Sequence, residues 1–424
     1  MIDFISNPRG FLTELFNEAV AVADPMRVVA SHLPRRPKGR FIVIGAGKAS
    51  ARMAEAVEAH YGPCEGLVIT RYGYDRPTQG IEIVQAAHPV PDAAGAAATL
   101  RMLDMVSGLG ADDVVIALIS GGGSALLCAP SEGVTLDDKI AVNRALLASG
   151  APISEMNTVR KHLSRVKGGQ LAAACYPAKL LTLLISDVPG DDPSEIASGP
   201  TVGETSTARD ALAILEKHKI GFPPHVGDAL VARSAVVSPD DARMANAETK
   251  IIAAPSHSLA AAASLAEAAG LDVQHLGDAL EGEARDLGIE QARYAMKLQS
   301  EMAETGTPIL LLSGGECTVT RNGSGIGGPN AEFALAAVIT LNGQKGIHVL
   351  ACDTDGVDGA AEVAGAYGDP QTIRHAQDAG VSPNAALDDN DAHSFFDAIG
   401  GQIVTGPTLT NVNDFRAILI FSTS

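Results

Sequence analysis

The chain has 424 residues, enough for two or three domains, and a formal net charge of −19 at pH 7. Hydrophobic residues make up 46% of the sequence and charged residues 19%, which is a globular composition with ample material for cores. The excess of acidic residues argues against non-specific binding to nucleic acids or to anionic membrane surfaces. It does not exclude a small anionic substrate, which needs only a local basic pocket.

The cysteines and the chain start bear on the compartment. The five cysteines are scattered at positions 64, 128, 175, 317 and 352, without a CxxC pair, zinc-ligand spacing or a disulfide framework. The start, MIDFISNPRGFLTELF, contains acids and lacks a long apolar core, and no later apolar run approaches the length of a membrane span. We therefore expect a cytoplasmic protein, with Cys317 and Cys352 as small buried fillers. The sequence leaves open whether the chain forms a homodimer.

The first half alternates between helical and strand patterns. Helices are predicted at 11–32, 49–60 and 93–107, strands at 41–44, 66–70, 81–85, 114–119 and 180–185, and a helical region at 136–175. Strands that alternate with helices predict a mostly parallel, doubly wound sheet with ligands at the carboxyl ends of its strands.

A second α/β series follows a region without clear periodicity at 220–248, where we place the domain boundary. Its predicted elements are strands at 250–254, 309–312, 347–351 and 416–421 and helices at 258–269, 283–305 and 331–341. The predicted fold class is therefore α/β with two lobes, residues 1–245 and 250–424, each a mostly parallel doubly wound sheet flanked by helices. We expect the active site in the cleft between the lobes.

Each lobe has a glycine-rich loop directly after an apolar strand. The first is Ser120-Gly121-Gly122-Gly123-Ser124, and the second is Ser313-Gly314-Gly315-Glu316. Backbone N–H groups in such loops can point at a phosphate or carboxylate, and a helix that follows would add partial positive charge. A tight turn that merely needs glycine explains one loop equally well. Because the pattern recurs in the second lobe, we favour an anion-binding role and expect two lobes that face one cleft.

Each lobe also has an acidic loop after a later apolar run. These loops contain Asp187, Asp191 and Asp192 in the first lobe and Asp353, Asp355 and Asp358 in the second. Their carboxylates could bind Mg²⁺, or one of them could accept a hydroxyl proton during phosphoryl transfer. The alternative is that Asp and Gly simply favour turns. We favour Asp187 and Asp353 because each directly follows its strand.

Lys48 lies in Gly45-Ala46-Gly47-Lys48, between a strand and a helix. The segment resembles a dinucleotide fingerprint, but Ser50 takes the third glycine position and the next strand ends in Arg71 instead of an acid. The P-loop spacing is not met either. What remains is a lysine at a helix start, facing an anion or exposed to solvent. Taken alone, Arg160, Lys161 and His162 look like a solvated helix face.

These motifs together resemble the glycerate 2-kinase family, two-domain proteins whose C-terminal part is called the MOFRL domain. The matching stretches are GAGKAS at 45–50, HPVPD at 88–92, ISGGGSALL at 119–127, NTVRKHLSRVKGGQLA at 157–172, ISDVPGDDPSEIASGPT at 185–201, LLSGGECTVT at 311–320, DTDGVDG at 353–359 and TGPTLTNVNDFRAILI at 405–420. The chain most resembles bacterial members found with tartrate-degradation genes, which have often been labelled hydroxypyruvate reductases.

The resemblance implies ATP-dependent phosphorylation of D-glycerate to 2-phosphoglycerate with ATP, a divalent cation such as Mg²⁺, and Lys48 as the catalytic lysine. The family also has a Gly-Gly-Arg-Asn motif with a functional arginine, and Pro329 takes that place here. Either another cation, such as Arg160, Lys161 or Arg321, replaces the arginine, or the activity is altered.

The candidate site follows from the motifs and the resemblance together. Candidate catalytic residues are Lys48, Asp187 and Asp353; candidate substrate- or nucleotide-binding residues are Gly45, Gly47, Ser120, Gly121, Gly122, Gly123, Ser124, Arg160, Ser198, Gly314, Gly315, Glu316, Asn330 and Asn413; candidate metal ligands are Asp192 and Asp355. The alternatives are an NAD(P)H-dependent hydroxypyruvate reductase, with Arg71 on a 2′-phosphate, and a non-catalytic binding protein for a small acid.

Overall fold

A computed structural model describes residues 2–302, 306–359 and 361–422. The chain forms two compact units. The first unit is residues 25–252, and the second unit is residues 1–24 together with 253–424. The predicted division at 245–250 is therefore displaced by a few residues, and residues 1–24 belong with the second unit instead of the first.

The helices alternate with strands along both units. They are α1 (Pro8–Ala21), α2 (Pro25–Val28), α3 (Ser50–Tyr61), α4 (Ala93–Met105), α5 (Gly123–Leu126), α6 (Leu136–Ala148), α7 (Ile153–His162), α8 (Gln170–Cys175), α9 (Ala208–Lys217), α10 (Pro224–Arg233), α11 (Pro255–Ala268), α12 (Ala284–Glu301), α13 (Pro329–Leu341), α14 (Thr372–Ala379), α15 (Pro383–Asp388) and α16 (Ala392–Ala398). Short 3₁₀ turns occur at Ala30–His32, Pro189–Asp191, Ile196–Ser198 and Ala242–Met244. The end of the helix predicted at 283–305 reaches residues 303–305, outside the described residues.

The strands form two larger sheets and one small ribbon. They are β1 (Phe41–Ala46), β2 (Glu65–Arg71), β3 (Ile81–Ala86), β4 (Val114–Ile119), β5 (Lys179–Ile185), β6 (Ala247–Ala253), β7 (Asp272–Gly277), β8 (Gly282–Glu283), β9 (Ile309–Gly315), β10 (Cys317–Thr318), β11 (Ile347–Asp353), β12 (Gly365–Gly368), β13 (Gln402–Ile403) and β14 (Asp414–Ile420). The ribbon pairs β8 with β10.

The first unit contains the predicted doubly wound sheet. Its strand order is β3-β2-β1-β4-β5-β6, and β3, β2, β1, β4 and β5 pair in parallel. The runs FIVI in β1 and VVIALI in β4 are almost wholly buried because helices cover both faces of a parallel sheet. Ala46, at the end of β1, lies beside Ile119, at the end of β4. The two strands therefore end level with each other.

A helical layer accompanies this sheet in the first unit. Helices α6, α7, α9 and α10 enclose a separate apolar core that includes Leu146, Val159, Leu215 and Leu230. The Pro-containing region at 220–248, predicted as the boundary, thus contributes α10 to the first unit. Its short apolar spacing, Val226, Ala229 and Leu230, was too brief to stand out as a periodic pattern.

The second unit is α/β as predicted, but its sheet is not mostly parallel. The order is β13-β12-β11-β14-β9-β7, and only β7–β9 among the described pairs runs parallel. Strand β14 is inserted between β9 and β11 and runs against both. The β11–β12 connection is short and its described residues form no helix, which leads to antiparallel pairing. Continuous apolar runs cannot reveal this direction.

Helix α1 packs inside the second unit. Its side chains Phe11, Leu12, Leu15 and Phe16 are fully buried and share a core with α11 and the central strands. Phe16 lies 5.9 Å from Phe415 between ring centroids. The predicted helix 11–32 is shorter than expected because Pro25 disfavours helical geometry at the preceding residue.

The cysteines are buried, as predicted from the sequence. All five cysteines are free and buried, and burial raises the pKa of both Cys317 and Cys352, which disfavours their thiolates. The described helices include none that is both long and apolar enough to cross a bilayer.

The position of α1 predicts which unit a core mutation affects. Replacing Phe16 with Ala should lower the free energy of unfolding by about 3–5 kcal/mol, because it removes a fully buried ring. Hydrogen exchange should accelerate in α11 and β14 and stay unchanged in β1 and β4. Ile5→Ala, at a side chain 70% exposed, is the matched control and should change stability by less than about 0.5 kcal/mol. Faster exchange confined to the first unit would contradict the assignment of α1.

Candidate functional site

Three candidate segments meet at one edge of the first sheet. Lys48 follows β1, the loop 120–124 follows β4, and Asp187 follows β5 shortly after its last residue. Because these strands are parallel and adjacent, their carboxyl ends lie at the same edge. From β1 the chain continues to β2 and β3 on one side of β1, and it then returns to form β4 on the other side of β1. This reversal of the strand order opens a crevice between β1 and β4, where ligands bind in such sheets.

Hydrogen bonds join the loops after β1 and β4. Ser120 is fully buried, and its Oγ accepts from the Ala49 N–H at 3.0 Å and lies 3.1 Å from Ser50 Oγ. The Lys48 N–H donates to the Gly121 carbonyl at 2.8 Å. The Ser120 hydroxyl is thus used inside the protein, so it positions the two loops instead of facing the crevice. A side chain at Gly47 would collide with Ser120, with Oγ only 2.1 Å from an ideal Cβ.

Gly122 brings Lys48 and His88 to one place. Its φ of +75° lies in the left-handed region, and an ideal Cβ on it would lie 3.0 Å from the His88 ring and 3.3 Å from Lys48 Cγ. Lys48 itself is half-buried. The helix that follows, α5, has four residues, so the expected contribution of a helix dipole to an anion site is small.

A buried lysine fixes the far end of this glycine loop. Lys167 Nζ donates to the carbonyls of Ser124 and Ala197 at 2.8 and 3.2 Å and to Ser124 Oγ at 3.1 Å. Ser124 Oγ lies 2.9 Å from Ser198 Oγ. Ala197 and Ser198 adopt φ values of 52° and 62°, which cost about 1–3 kcal/mol each at non-glycine residues. The protein therefore holds two predicted ligand-binding serines together at the expense of backbone strain.

Lys161 and His162 are buried and Arg160 is half-buried, so the prediction of Arg160, Lys161 and His162 as a solvated helix face was wrong. Lys161 is 3% exposed, and its Nζ contacts Glu195 at 3.1 Å and Glu204 at 2.6 Å. His162 is also buried, and burial lowers its pKa. Arg160 donates to Asn143 Oδ1 at 2.7 Å and to Asn157 Oδ1 at 3.2 Å. The surrounding helices and the 195–206 segment provide these partners, and sequence spacing alone cannot show them.

These elements enclose a cavity of about 170 Å³ in the first unit. Among the polar residues that line it are His88, Gly122, Ser124, Lys139, Arg160 and Lys167. Gly122, Ser124 and Arg160 were predicted, whereas Lys139, Lys167 and His88 were not. A signal for Lys139 exists in α6, since Lys139, Val142, Asn143 and Leu146 follow helical spacing and all line the cavity.

The acidic residues of the first unit do not form a ready metal site. Asp187 is half-buried after β5, whereas Asp192 is exposed and its Oδ1 accepts from the Ser194 N–H at 2.8 Å. Across the described ranges, no group of three His, Cys, Asp or Glu side chains is arranged to hold a metal ion. The metal roles of Asp192 and Asp355 therefore stay predictions.

The second unit brings its candidates together across three strands. Asp414 on β14 lies beside Asp353 on β11 and beside Gly315 on β9. Arg416 is fully buried, forms an ion pair with Asp414 and donates to the carbonyls of Gly314 and Gly315 at 3.2 and 3.5 Å. Burial raises the pKa of Asp414, and Arg416 opposes that shift. The glycine carbonyls at the end of β9 thus serve an internal arginine, while Glu316 after them is exposed.

Asn330 and Asp358 form the start of α13. Asp358 accepts from the backbone N–H groups of Asn330 and Ala331 at 3.0 and 2.8 Å, and His393 Nε2 lies 2.9 Å from its second oxygen. Asn330 Nδ2 also donates to Asp414 Oδ1 at 2.6 Å. Pro329 occupies the first helical position, where its missing N–H costs nothing.

The last candidates of the second unit lie in the 353–358 turn and before β14. Asp353 Oδ1 accepts from the Asp355 N–H, and Asp355 Oδ1 accepts from the Val357 N–H, each at 2.8 Å. Asn413, with a φ of 62°, accepts from Thr354 Oγ1 at 2.7 Å through its carbonyl. These carboxylates form turns as the alternative explanation predicted. Asp414 and Arg416 were missed as site residues because both lie within an otherwise apolar strand.

Comparison with known proteins places the chain in a family. Residues 11–231 match the model of a domain of unknown function, DUF4147, and residues 309–414 match the model of the MOFRL family. A protein of Agrobacterium vitis is 51% identical over 97% of this chain and 94% of its own, and its name, hydroxypyruvate reductase, is qualified as provisional. D-glycerate 2-kinase of Thermotoga maritima is 38% identical over 96% of this chain and 97% of its own.

Solved structures agree with these relatives. The crystal structure of glycerate kinase from Thermotoga maritima matches with a TM-score of 0.88 and 37% identity, covering 98% of this chain and all of that one. A protein of Pyrococcus horikoshii matches with a TM-score of 0.81 and 34% identity over the whole of both chains. With both halves matched in order and relatives aligned over nearly its whole length, the chain belongs to the DUF4147–MOFRL family that includes the glycerate 2-kinases.

Proposed function

We propose that this protein is an ATP-dependent kinase that transfers the γ-phosphoryl group of ATP to the 2-hydroxyl group of D-glycerate. The observation that carries the proposal is Lys48 at the carboxyl edge of β1, held against the glycine loop after β4 by the Lys48–Gly121 hydrogen bond. Relatives named glycerate 2-kinase in bacteria and archaea align over nearly the whole chain, which supports the same chemistry here.

The reaction exchanges one phosphorus–oxygen bond for another. The 2-oxygen of glycerate bonds to the γ-phosphorus, the bond to the β,γ-bridging oxygen breaks, ADP leaves, and the hydroxyl proton passes to a base. Such a transfer depends mainly on positioning and on neutralising the charge of the phosphoryl oxygens. Lys48 supplies positive charge for those oxygens, and Gly122 leaves room for the Lys48 side chain, since an ideal Cβ there would lie 3.3 Å from Lys48 Cγ.

Asp187 is the carboxylate we assign to the acceptor hydroxyl or to the metal in the first unit. It lies at the same sheet edge as Lys48, since β5 and β1 both neighbour β4 in parallel. Mg²⁺ usually retains waters and binds nucleotide phosphates with one or two carboxylates, so a single acid fits this role without a preformed cluster. Asp192 is the further candidate oxygen ligand in the first unit, and Asp355 is the candidate metal ligand of the second unit.

A different cation has to replace the arginine that the family motif places at Pro329. Lys161 is ruled out as that cation by its two carboxylate partners, Glu195 and Glu204. Arg321 lines the same surface hollow as Pro329 and donates to the Gly325 carbonyl at 3.0 Å. Arg160 lines the cavity of the first unit instead. We propose Arg321 in the second unit and Arg160 in the first unit as the two candidates for that replacement.

The reductase alternative has weaker support from the geometry. Ser50, at the third position of the fingerprint, is fully buried against Ser120, and Arg71 at the end of β2 lies with its guanidinium 4.6 Å from the centroid of the Tyr74 ring. An acid that would bind the ribose of NAD is missing from the end of β2.

The activity itself is the first test. Purified protein with D-glycerate and Mg-ATP should form ADP and a phosphate ester at carbon 2. In the proton-coupled ³¹P spectrum this ester is split into a doublet by the single proton on carbon 2, whereas an ester at carbon 3 gives a triplet. A parallel incubation with hydroxypyruvate and NADH or NADPH should leave the nicotinamide reduced. Oxidation of the nicotinamide without ADP formation from D-glycerate would overturn the kinase proposal.

Lys48 should be needed for turnover and dispensable for folding. Lys48→Ala should lower kcat by about 10²–10³-fold, the usual effect of removing one group that stabilises charge in the transition state. Its melting temperature should stay close to that of the parent protein, because the backbone hydrogen bond to Gly121 remains. Lys38→Ala removes an exposed lysine and is the control. Equal rates for the two variants would remove Lys48 from the mechanism.

Asp187→Asn separates the two roles assigned to this carboxylate. We expect kcat to fall by about 10²-fold or more in either role, which is the lower end of the range for loss of a general base. If Asp187 binds the metal, raising Mg²⁺ should restore part of the rate; if it accepts the proton, added Mg²⁺ should have no effect. Asp104→Asn, at an exposed position on α4, is the control. An unaltered rate for Asp187→Asn would remove Asp187 from the mechanism.

A further inference from the structure

The cavity of the first unit contains a buried lysine that the proposed mechanism does not use. Lys139 is 7% exposed, and its Nζ has no hydrogen-bond partner within the described part of the chain. An ammonium group has three N–H donors, and burying it without an acceptor is costly. Lys139 lies in the first turn of α6 and lines the cavity together with Val142, Asn143 and Leu146 on the same helix face.

Two further cations line the same cavity. Arg160 on α7 is held there by Asn143, and Lys167 is bound to the Ser124 and Ala197 carbonyls. The described residues that line the cavity include neither Asp nor Glu. Glu195 and Glu204 are paired with Lys161, which does not line the cavity. The cavity thus concentrates positive charge without a built-in counter-charge.

The cations also affect one another. Burial lowers the pKa of Lys139, the Cys128 thiol opposes that shift and Arg160 adds to it. Burial lowers the pKa of Lys167 strongly, and Lys139 contributes to this lowering. An anion in the cavity would reverse these effects, because it offers the missing acceptor and favours the charged form of each lysine. Apolar walls formed by Val142, Leu146 and Val159 would strengthen the attraction by excluding water.

We propose that this cavity binds the carboxylate of the acceptor acid, with Lys139 as its principal charged partner and Arg160 as the second. This inference rests on the proposed function for the identity of the acid. The volume of about 170 Å³ is below the range of roughly 300–1,000 Å³ for drug-sized ligands, so it suits a short acid better than a whole nucleotide.

The location of the cavity also determines which of the two hydroxyl groups of the acid is placed for reaction. Gly122 lines the cavity and lies against the Lys48 side chain. When the carboxylate of the acid binds Lys139 and Arg160, the hydroxyl on the adjacent carbon lies closer to this anchor than the hydroxyl on the terminal carbon does. The cavity therefore selects 2-hydroxy acids and directs transfer to the 2-oxygen, because that oxygen is tied to the anchored carboxylate by a single carbon.

Lys139→Met tests the proposal, because Met retains the apolar stem and removes the charge. We expect KM for D-glycerate to rise by about 30-fold or more, in the range for loss of a hydrogen bond to a charged group. KM for ATP should stay within about twofold. The melting temperature should rise, because an unpaired buried charge is gone. Arg144→Met, an exposed position on the same helix, is the matched control and should leave KM for D-glycerate unchanged.

A ligand pair gives a second measurement that needs no variant. D-glycerate should raise the melting temperature of the parent protein without nucleotide, whereas D-glyceramide, which replaces the carboxylate by a neutral amide, should not. The shift should disappear in Lys139→Met. An unchanged KM for D-glycerate in Lys139→Met, or equal shifts from the acid and the amide, would overturn the proposal.

The outcomes also separate this inference from the proposed function. If the parent protein forms no ADP with D-glycerate but shows a melting shift that Lys139→Met loses, the kinase proposal fails and the carboxylate site stands. If ADP forms with the same KM in both proteins, the kinase proposal stands and the site is wrong.

Discussion

Hydrogen bonds between the turn after β1 and the loop after β4 hold the site of the first unit together. The Ser120 hydroxyl accepts from Ala49 and the Lys48 N–H donates to Gly121, so the two loops form one rigid piece at the edge of the sheet. Gly122 is thereby set beside Lys48, and the cavity beyond it takes its shape from this loop and from α6 and α7. The level ends of the parallel strands make the arrangement possible, since neither loop has to span a difference in height.

The sequence was informative where local patterns determine structure. Strands such as Val114–Ile119 were predicted within a residue or two, because a strand buried on both faces must be continuously apolar. Strand direction in the second sheet was not predictable in the same way. An apolar run looks the same in either direction, and β14 is placed between β9 and β11 by partners about 60 and 100 residues away. Helix α10, in the Pro-containing region, was not predicted for a different reason, because its apolar spacing covers hardly more than one turn.

Site residues in distinctive local motifs were predicted, whereas those whose role depends on burial were not. Ser124, Ser198 and Arg160 were found because they lie in distinctive motifs, and the structure brings all three to the loop after β4 or to the cavity beside it. Lys139 and Arg416 were not found, because each is a charged residue in an otherwise ordinary amphipathic helix or apolar strand. Their meaning comes from burial, which depends on partners distant in sequence, such as Gly314 for Arg416. A charge at a position where periodicity requires an apolar residue is the one local sign that both share.

The packing of α1 in the second unit has a consequence for how the chain folds during synthesis. Thr410 Oγ1 donates a hydrogen bond to the Ala23 carbonyl, which lies 387 positions earlier in the chain. The ring contact between Phe16 and Phe415 likewise joins the two ends of the chain. The ribosome adds about 5–20 residues per second, so the apolar face of α1 lacks its full set of partners for roughly 20–80 s, although α11 is made before β14. The first unit, made from a continuous stretch, can complete its sheet and helical core in that interval. The first helix to emerge is thus among the last to be fully buried, and its apolar face stays partly exposed through that interval.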